Sequence, residues 1–275
     1  MRIDYHIHTP YCGHAQGKIV EYIEEAVRRG FNEIGFADHL GRYYLSRSQK
    51  KRYWDWGMDR DGLDRYWSEL FELRETYSRE IAIRIGLEVD YLEGAEELLV
   101  PLLDAHPFDF YLASVHSLPR FGWRHLAELP QTRAGEMFEA YFDMVGAAAE
   151  SGLFHSLSHL DFIWRYVRWP RSREVDVFAL IADTVARAKK ADIAIEMNSN
   201  GFLWSQIYKV RRGDPFEFLM QQIRQHDVPI SLGSDAHAPR HVGKAFTQLV
   251  PCLKKNGFTE VSSFSGLKRR SVHLE

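Results

Sequence analysis

Ile3, Tyr5 and Ile7 alternate with Asp4, His6 and His8 at the start of the chain. That period of two predicts a half-buried strand whose second face carries two imidazoles pointing the same way. Thr9-Pro10 ends the strand, and a glycine-containing loop returns a third histidine, His14, over its end. Ile19, Val20, Ile23, Ala26 and Val27 then form a helical stripe with Glu21, Glu24 and Glu25 outside it, predicting a helix over 17–29 stopped by Gly30. The two rhythms keep alternating. Apolar strands are predicted over 33–37, 81–89, 109–115, from Phe154, over 193–197 and over 228–232. Helices are predicted over 63–77, 96–105, 134–150, 175–189, 215–225 and 241–255. Two stretches break the pattern: 40–60, dense in Arg, Lys, Tyr and Trp, and 117–131, with Arg120, Trp123, Arg124 and His125. The first exceeds an ordinary connection and reads as a lid or binding loop. Seven strand-then-helix units without an internal linker argue a single α/β domain over 1–275. Its closure into a barrel explains why polar residues gather at one end of each strand.

Composition narrows the class further. No apolar run reaches the roughly 18 residues of a membrane span, and none of signal-peptide length precedes the first strand. Cys12 and Cys252 lie at opposite ends of the chain, which fits a reducing compartment without a disulfide framework and predicts a cytoplasmic protein. The net charge of −3 offers no basic field for long nucleic acid or anionic lipid, so an anion site must be local. Thirteen histidines stand out, because imidazole is the commonest transition-metal ligand.

The predicted strands end in His6 and His8, His39, Glu88, His116, His159, Asn198, and Asp235 with His237; His14 joins from the first loop. Any one of these would be read as a satisfied core residue, but together they converge as a metal cage would. Asp38 and Asp90 are expected to orient neighbouring ligands rather than bind metal. His106, His125, His155, His226 and His273 are read as structural or surface residues, His241 as a helix-start residue near the site, and Cys12 as a small loop filler.

The runs His6-Ile7-His8, Cys12-Gly13-His14, Ala37-Asp38-His39, Gly86-Leu87-Glu88, Ser114-Val115-His116, Ser158-His159-Leu160-Asp161 and Gly233-Ser234-Asp235-Ala236-His237 resemble, in this order, the polymerase and histidinol phosphatase (PHP) superfamily. Asp4 to Pro10, Cys12 to Ala15 and Gly86 to Tyr91 look like its histidinol phosphatase branch, whereas 40–60 and 118–129 depart from it. The resemblance implies a distorted (β/α)7 barrel and three divalent ions, with Zn, Mn or Fe all suited to nitrogen and oxygen ligands. One ion would take His6, His8, Glu88 and Asp235. A second would share Glu88 and add His116 and His159, and a third would take His14, His39 and His237.

Three such ions against Glu88 and Asp235 would leave a site near four positive charges, which suits a phosphate dianion. Two of them roughly 3.5–4 Å apart would lower the pKa of a bridging hydroxide towards ~7 and aim it at phosphorus. Glu88, Asp235 and His237 are the expected catalytic residues, the leaving group's proton coming from Asp235, His237 or a metal-bound water. Arg165 is the expected phosphate clamp, with Asn198 and Arg240 also assigned to substrate; Arg168 and Lys244 are weaker candidates. The expected activity is hydrolysis of a small phosphate monoester, L-histidinol phosphate first and a nucleotide second. An amidohydrolase would want eight units and commonly a bridging lysine, and a non-catalytic metal module should lack ligands that are all present here.

Overall fold

The computed structural model describes residues 1–50, 57–171, 174–207, 210 and 213–275. Residues 51–56 of the predicted binding loop lie outside them. Seven strands are hydrogen-bonded in chain order and all in parallel. They are β1 (Ile3–Ile7), β2 (Glu33–His39), β3 (Ala82–Asp90), β4 (Phe110–Ser114), β5 (Ser156–Leu157), β6 (Ala194–Asn198) and β7 (Ile230–Gly233). Beyond β7 the chain returns to β1: Ile7 pairs with Ala236, His8 N donates to Ala236 O at 2.9 Å, and Ala236 N donates to His6 O at 3.1 Å. Buried Asp4 reinforces this seam by accepting from Ser234 N, Ser234 Oγ and Gly243 N. The architecture is therefore an α/β barrel of seven parallel strands with helices outside.

Closure changes what the first strand's alternation means. All five residues of β1 are buried, so its polar face looks into the barrel rather than towards water. The register also slips: Asp4 pairs with Ile34 but Ile7 with Phe36, so one extra residue of β1 is accommodated. Such a bulge re-aims side chains. Tyr5 thus shares the interior with His6, against the expectation that the two face opposite ways. Its ring meets Phe110 edge-on at 4.9 Å, while His6 Nε2 stands 3.3 Å from Glu88.

The floor of the barrel is closed by an antiparallel hairpin absent from the predicted elements, β8 (Glu260–Ser265) and β9 (Lys268–His273). Phe264 is fully buried, lies edge-on to Tyr5 at 5.0 Å and stacks on Phe110 at 5.6 Å. The turn hides from pattern reading because Leu267 adopts a positive φ of 61° after Gly266 at 54°, a type I′ geometry that Asn-Gly usually signals. Three further departures are local. Ser199–Ile207 is an unpredicted helix. The strand expected from Phe154 is only Ser156–Leu157. The final helix begins at Phe246 rather than 241, because Gly243 and Ala245 have φ of 62° and 60°, which helical backbone excludes. Among the described residues, no helix is long and apolar enough to cross a membrane.

Candidate metal centre

All nine residues predicted as ligands meet at the carboxyl ends of the strands. Glu88, at the end of β3, is the hub. Its Oε2 lies 3.3 Å from His6 Nε2, 3.5 Å from His8 Nε2 and 3.0 Å from His39 Nδ1. Its Oε1 lies 2.8 Å from His159 Nε2 and 3.5 Å from His116 Nε2. Asp235 Oδ1 stands 3.3 Å from His8 Nε2 and 3.8 Å from His6 Nε2. His14 Nε2 and His237 Nε2 face each other at 2.9 Å. His39 sits between two groupings, one with Glu88 and His116 and another with His8 and His237.

The protons on these rings decide what the cage can hold. His6 Nδ1 is 2.8 Å from Glu196, His8 Nδ1 is 3.3 Å from Asp38, and His116 Nδ1 is 2.8 Å from Asp90. His14 Nδ1 and His237 Nδ1 face the carbonyls of Cys12 and Asp235 at 3.2 and 3.0 Å. Carboxylates and carbonyls only accept, so each Nδ1 carries the hydrogen and each neutral ring offers an Nε2 lone pair. With the rings neutral, lone pairs confront each other across His6–His8, at 3.1 Å, and across His14–His237. Among the described residues, buried Glu88 Oε2 meanwhile accepts no hydrogen bond. Facing lone pairs and an orphaned carboxylate oxygen repel unless a cation lies among them, and nitrogen and oxygen donors of this kind fit a divalent metal ion.

Glu196 was not among the predicted residues. It points inward from β6, takes His6 on Oε1, and on Oε2 accepts from His159 N at 2.6 Å and Asn198 Nδ2 at 3.2 Å. A carboxylate in the middle of the apolar run Ile193–Met197 is the signal that could have found it. Gly233 makes its reach possible, since a Cβ there would lie 1.6 Å from Glu196 Oε1. Asp38 and Asp90 occupy the orienting positions expected of them; Asp38 also accepts from Thr9 N at 3.1 Å.

Electrostatics divides the rings. Burial holds His39 down to about 3; burial together with the charge of His8 holds His237 down to about 4 and also lowers His14. Shifted this way, the three favour the neutral form that offers a lone pair. Against burial, Glu196 and Glu88 raise His6, Asp235 and Asp38 raise His8, and Asp90 and Glu88 raise His116, so protons compete with metal at these rings. Against the same burial, the surrounding imidazoles hold Glu88 and Asp235 well below the ordinary carboxylate range.

The predicted substrate residues are placed unequally. Arg165 projects from the short helix Phe162–Tyr166, gripped by Asp161 Oδ2 at 2.6 and 2.9 Å, with Nη1 3.4 Å from Asp235 Oδ2. Asn198 is buried; its Oδ1 accepts from Arg165 Nη2 and Asn200 N and its Nδ2 donates to Glu196, so it supports the arginine. Arg240 is exposed, while Arg168 is tied up with Glu174. Lys244 reaches the site indirectly, donating to Asn200, whose Nδ2 bonds Asp235 Oδ2 at 3.2 Å. His106 pairs with Asp64 and His155 accepts from Tyr111 N, which are structural roles. His125 is buried beside the cage: its ring stands 6.3 Å from that of His116 and packs edge-on against Phe162 and Tyr166. Cys12 is buried, and its thiol donates to Thr9 O at 3.1 Å.

Known proteins share this plan. A Deinococcus radiodurans protein named "Probable histidinol-phosphatase" is 30% identical over 92% of this chain and 93% of its own. The histidinol-phosphatase of Bacillus subtilis is 26% identical over 88% and 96%. The crystal structure of Lactococcus lactis histidinol phosphate phosphatase, complexed with zinc, L-histidinol and phosphate, superposes with a TM-score of 0.76 at 24% identity, covering 98% of both chains. A model of the PHP-associated segment matches residues 220–256. With the PHP domain model matching residues 4–200, and the histidines, Glu88 and Asp235 gathered at the barrel mouth, the chain belongs to the PHP domain family.

Proposed function

We propose that this chain is a metal-dependent phosphate monoesterase acting on L-histidinol phosphate, and that residues 1–275 work as one domain around one site. The observation that carries the chemistry is the close approach of paired Nε2 atoms, His6 with His8 and His14 with His237, around Glu88. The substrate rests on the D. radiodurans relative and on the ligands of the L. lactis structure.

Three divalent ions are assigned to the nine residues, with Glu88 shared between two of them. Bound there, the ions supply Lewis-acid charge and an activated water. The chain's own residues set the charge that the ester meets. Asp38, Asp90 and Glu196 join Glu88 and Asp235 against the imidazoles, and Arg42 covers Asp90. Counted against three divalent ions, these groups leave a surplus of about two positive charges, lower than Glu88 and Asp235 alone would leave and equal to the charge of a phosphate dianion. Asp235 keeps Oδ2 on Arg165 and Asn200 and so serves as a charged ligand through Oδ1. Arg165, immobilised by Asp161, is assigned to the phosphate oxygens, Arg240 to the substrate at the mouth, and His237 to the rim. The His125, Phe162 and Tyr166 wall, apolar with one imidazole, is assigned to the organic part of the ester.

Metal analysis of the purified protein, followed by turnover of histidinol phosphate beside sugar phosphates and mononucleotides, tests this reading. Bound divalent metal and a clear preference for histidinol phosphate are expected. A hundredfold preference for a nucleotide overturns the substrate, and cleavage of amides or lactones alone overturns the reaction.

A further inference from the structure

We propose that Arg42 is a positioning residue of the metal centre, acting through Asp90 on His116 and tying the 40–60 loop to the cage; the proposal rests on the metal-site reading above. Arg42 is 2% exposed, among the most deeply buried long side chains of the protein. Burying a guanidinium is costly, and a buried ion pair by itself adds little stability, so its presence calls for another reason. The geometry supplies one. Arg42 Nη2 donates to Asp90 Oδ2 at 2.8 Å and to Ser117 Oγ at 3.3 Å. The other oxygen, Asp90 Oδ1, accepts from both His116 N at 3.1 Å and His116 Nδ1 at 2.8 Å. Each carboxylate oxygen has its own partner, and the plane of the carboxylate fixes the imidazole plane. His116 Nε2 is thereby presented 3.5 Å from Glu88 Oε1.

The loop is stitched at its two ends to the strands that carry the ligands. Leu40 N donates to Glu88 O at 3.1 Å, Met58 N to His39 O at 2.9 Å, and Gly41 N to Met58 O at 2.9 Å. The pinch is tight enough that a Cβ on Gly41 would sit 2.3 Å from Met58 O. Arg42 therefore stands where the 40–60 loop, the 117–131 loop and the end of β3 meet. Without its guanidinium, Asp90 Oδ2 loses its charged partner and the carboxylate is free to turn, taking the His116 ring with it. Partners that orient ligands typically govern metal affinity by about 10–100-fold.

The test is a competitive chelator titration with Zn2+ on metal-stripped protein, with Co2+ absorption as a second readout. Wild type, Arg42→Met, Arg42→Lys, Asp90→Asn and the Arg42→Met/Asp90→Asn double variant are compared. Arg42→Met is expected to weaken one class of ions by about 10–100-fold and to change the Co2+ spectrum. Arg42→Lys, which retains the charge on a foldable side chain, should fall between it and wild type. The double variant should bind no more weakly than Asp90→Asn alone, because both act on one ring. Wild-type affinity and spectrum in both Arg42 variants overturn the proposal and leave the metal centre standing, even if the variants melt earlier. Wild type that takes up no divalent ion overturns the metal centre and this proposal together.

Discussion

Glu196→Gln isolates a carboxylate whose two oxygens have opposite obligations to the cage. Oε1 faces His6 Nδ1, and Oε2 accepts from His159 N and Asn198 Nδ2. A glutamine of the same shape can orient its amide in two ways. With its nitrogen towards His159, it confronts two donors and leaves the buried His159 N–H unsatisfied, which costs about 1–3 kcal/mol of stability. With its nitrogen towards His6, it forces the hydrogen of that ring onto Nε2 and removes the lone pair a metal ion needs. Either orientation is damaging, and the protein will adopt whichever costs less. In the second orientation metal affinity at the His6 site should fall about 10–100-fold, equivalent to roughly 1.4–2.7 kcal/mol. In the first orientation the metal-free protein should melt lower by several degrees, at about 2–4 °C per kcal/mol for a chain near this size. Chelator competition and thermal denaturation of the stripped protein measure the two losses separately. Unchanged values in both would refute the tautomer argument and with it the assignment of Nε2 as the donor atom.

Glu88→Gln should fold normally yet lose turnover by at least about 1000-fold, since some 4 kcal/mol of metal-borne stabilisation disappears with the shared charge; a steady-state assay showing near-normal rates would contradict the shared ligand. Dialysis against a strong chelator should abolish activity and lower the melting temperature. Restoring Zn2+, Mn2+ or Fe2+ singly then identifies the working ion by which recovers the rate. Phe264→Ala, far from the chemistry, should cost about 3–5 kcal/mol by emptying the floor of the barrel, while kcat at 25 °C stays within a factor of about two once the ions are loaded; a large kcat loss with little change in melting would reverse the division between floor and mouth.

Much of this site is readable from the chain because a parallel barrel delivers the residue after each strand to the same rim. The order of His6, His39, Glu88, His116, His159 and Asp235 along the sequence is the order of their strands around the barrel. Local pattern does not carry what depends on closure. Glu196 looks like an isolated charge until the ring of strands brings it to His6, and Asn198 looks like a strand-end donor until Arg165 folds over it. The packing of His125 beside His116 depends on the two-residue ribbon of Ser117–Leu118 with Arg124–His125, which no local pattern announces. The hairpin over 260–273 is mostly polar, and one buried phenylalanine, Phe264, packs it beneath Tyr5 and Phe110.

The slipped register of β1 bears on any attempt to transplant this chemistry. Copying His-X-His onto a regular strand of another barrel reproduces the spelling but not the aim, because Tyr5 and His6 are successive residues that both point inward only where the ladder carries an extra residue. Deleting that residue here would rotate one of the two neighbours out of the interior. A designer would therefore have to import the irregular backbone together with the histidines and treat the kink as part of the ligand set.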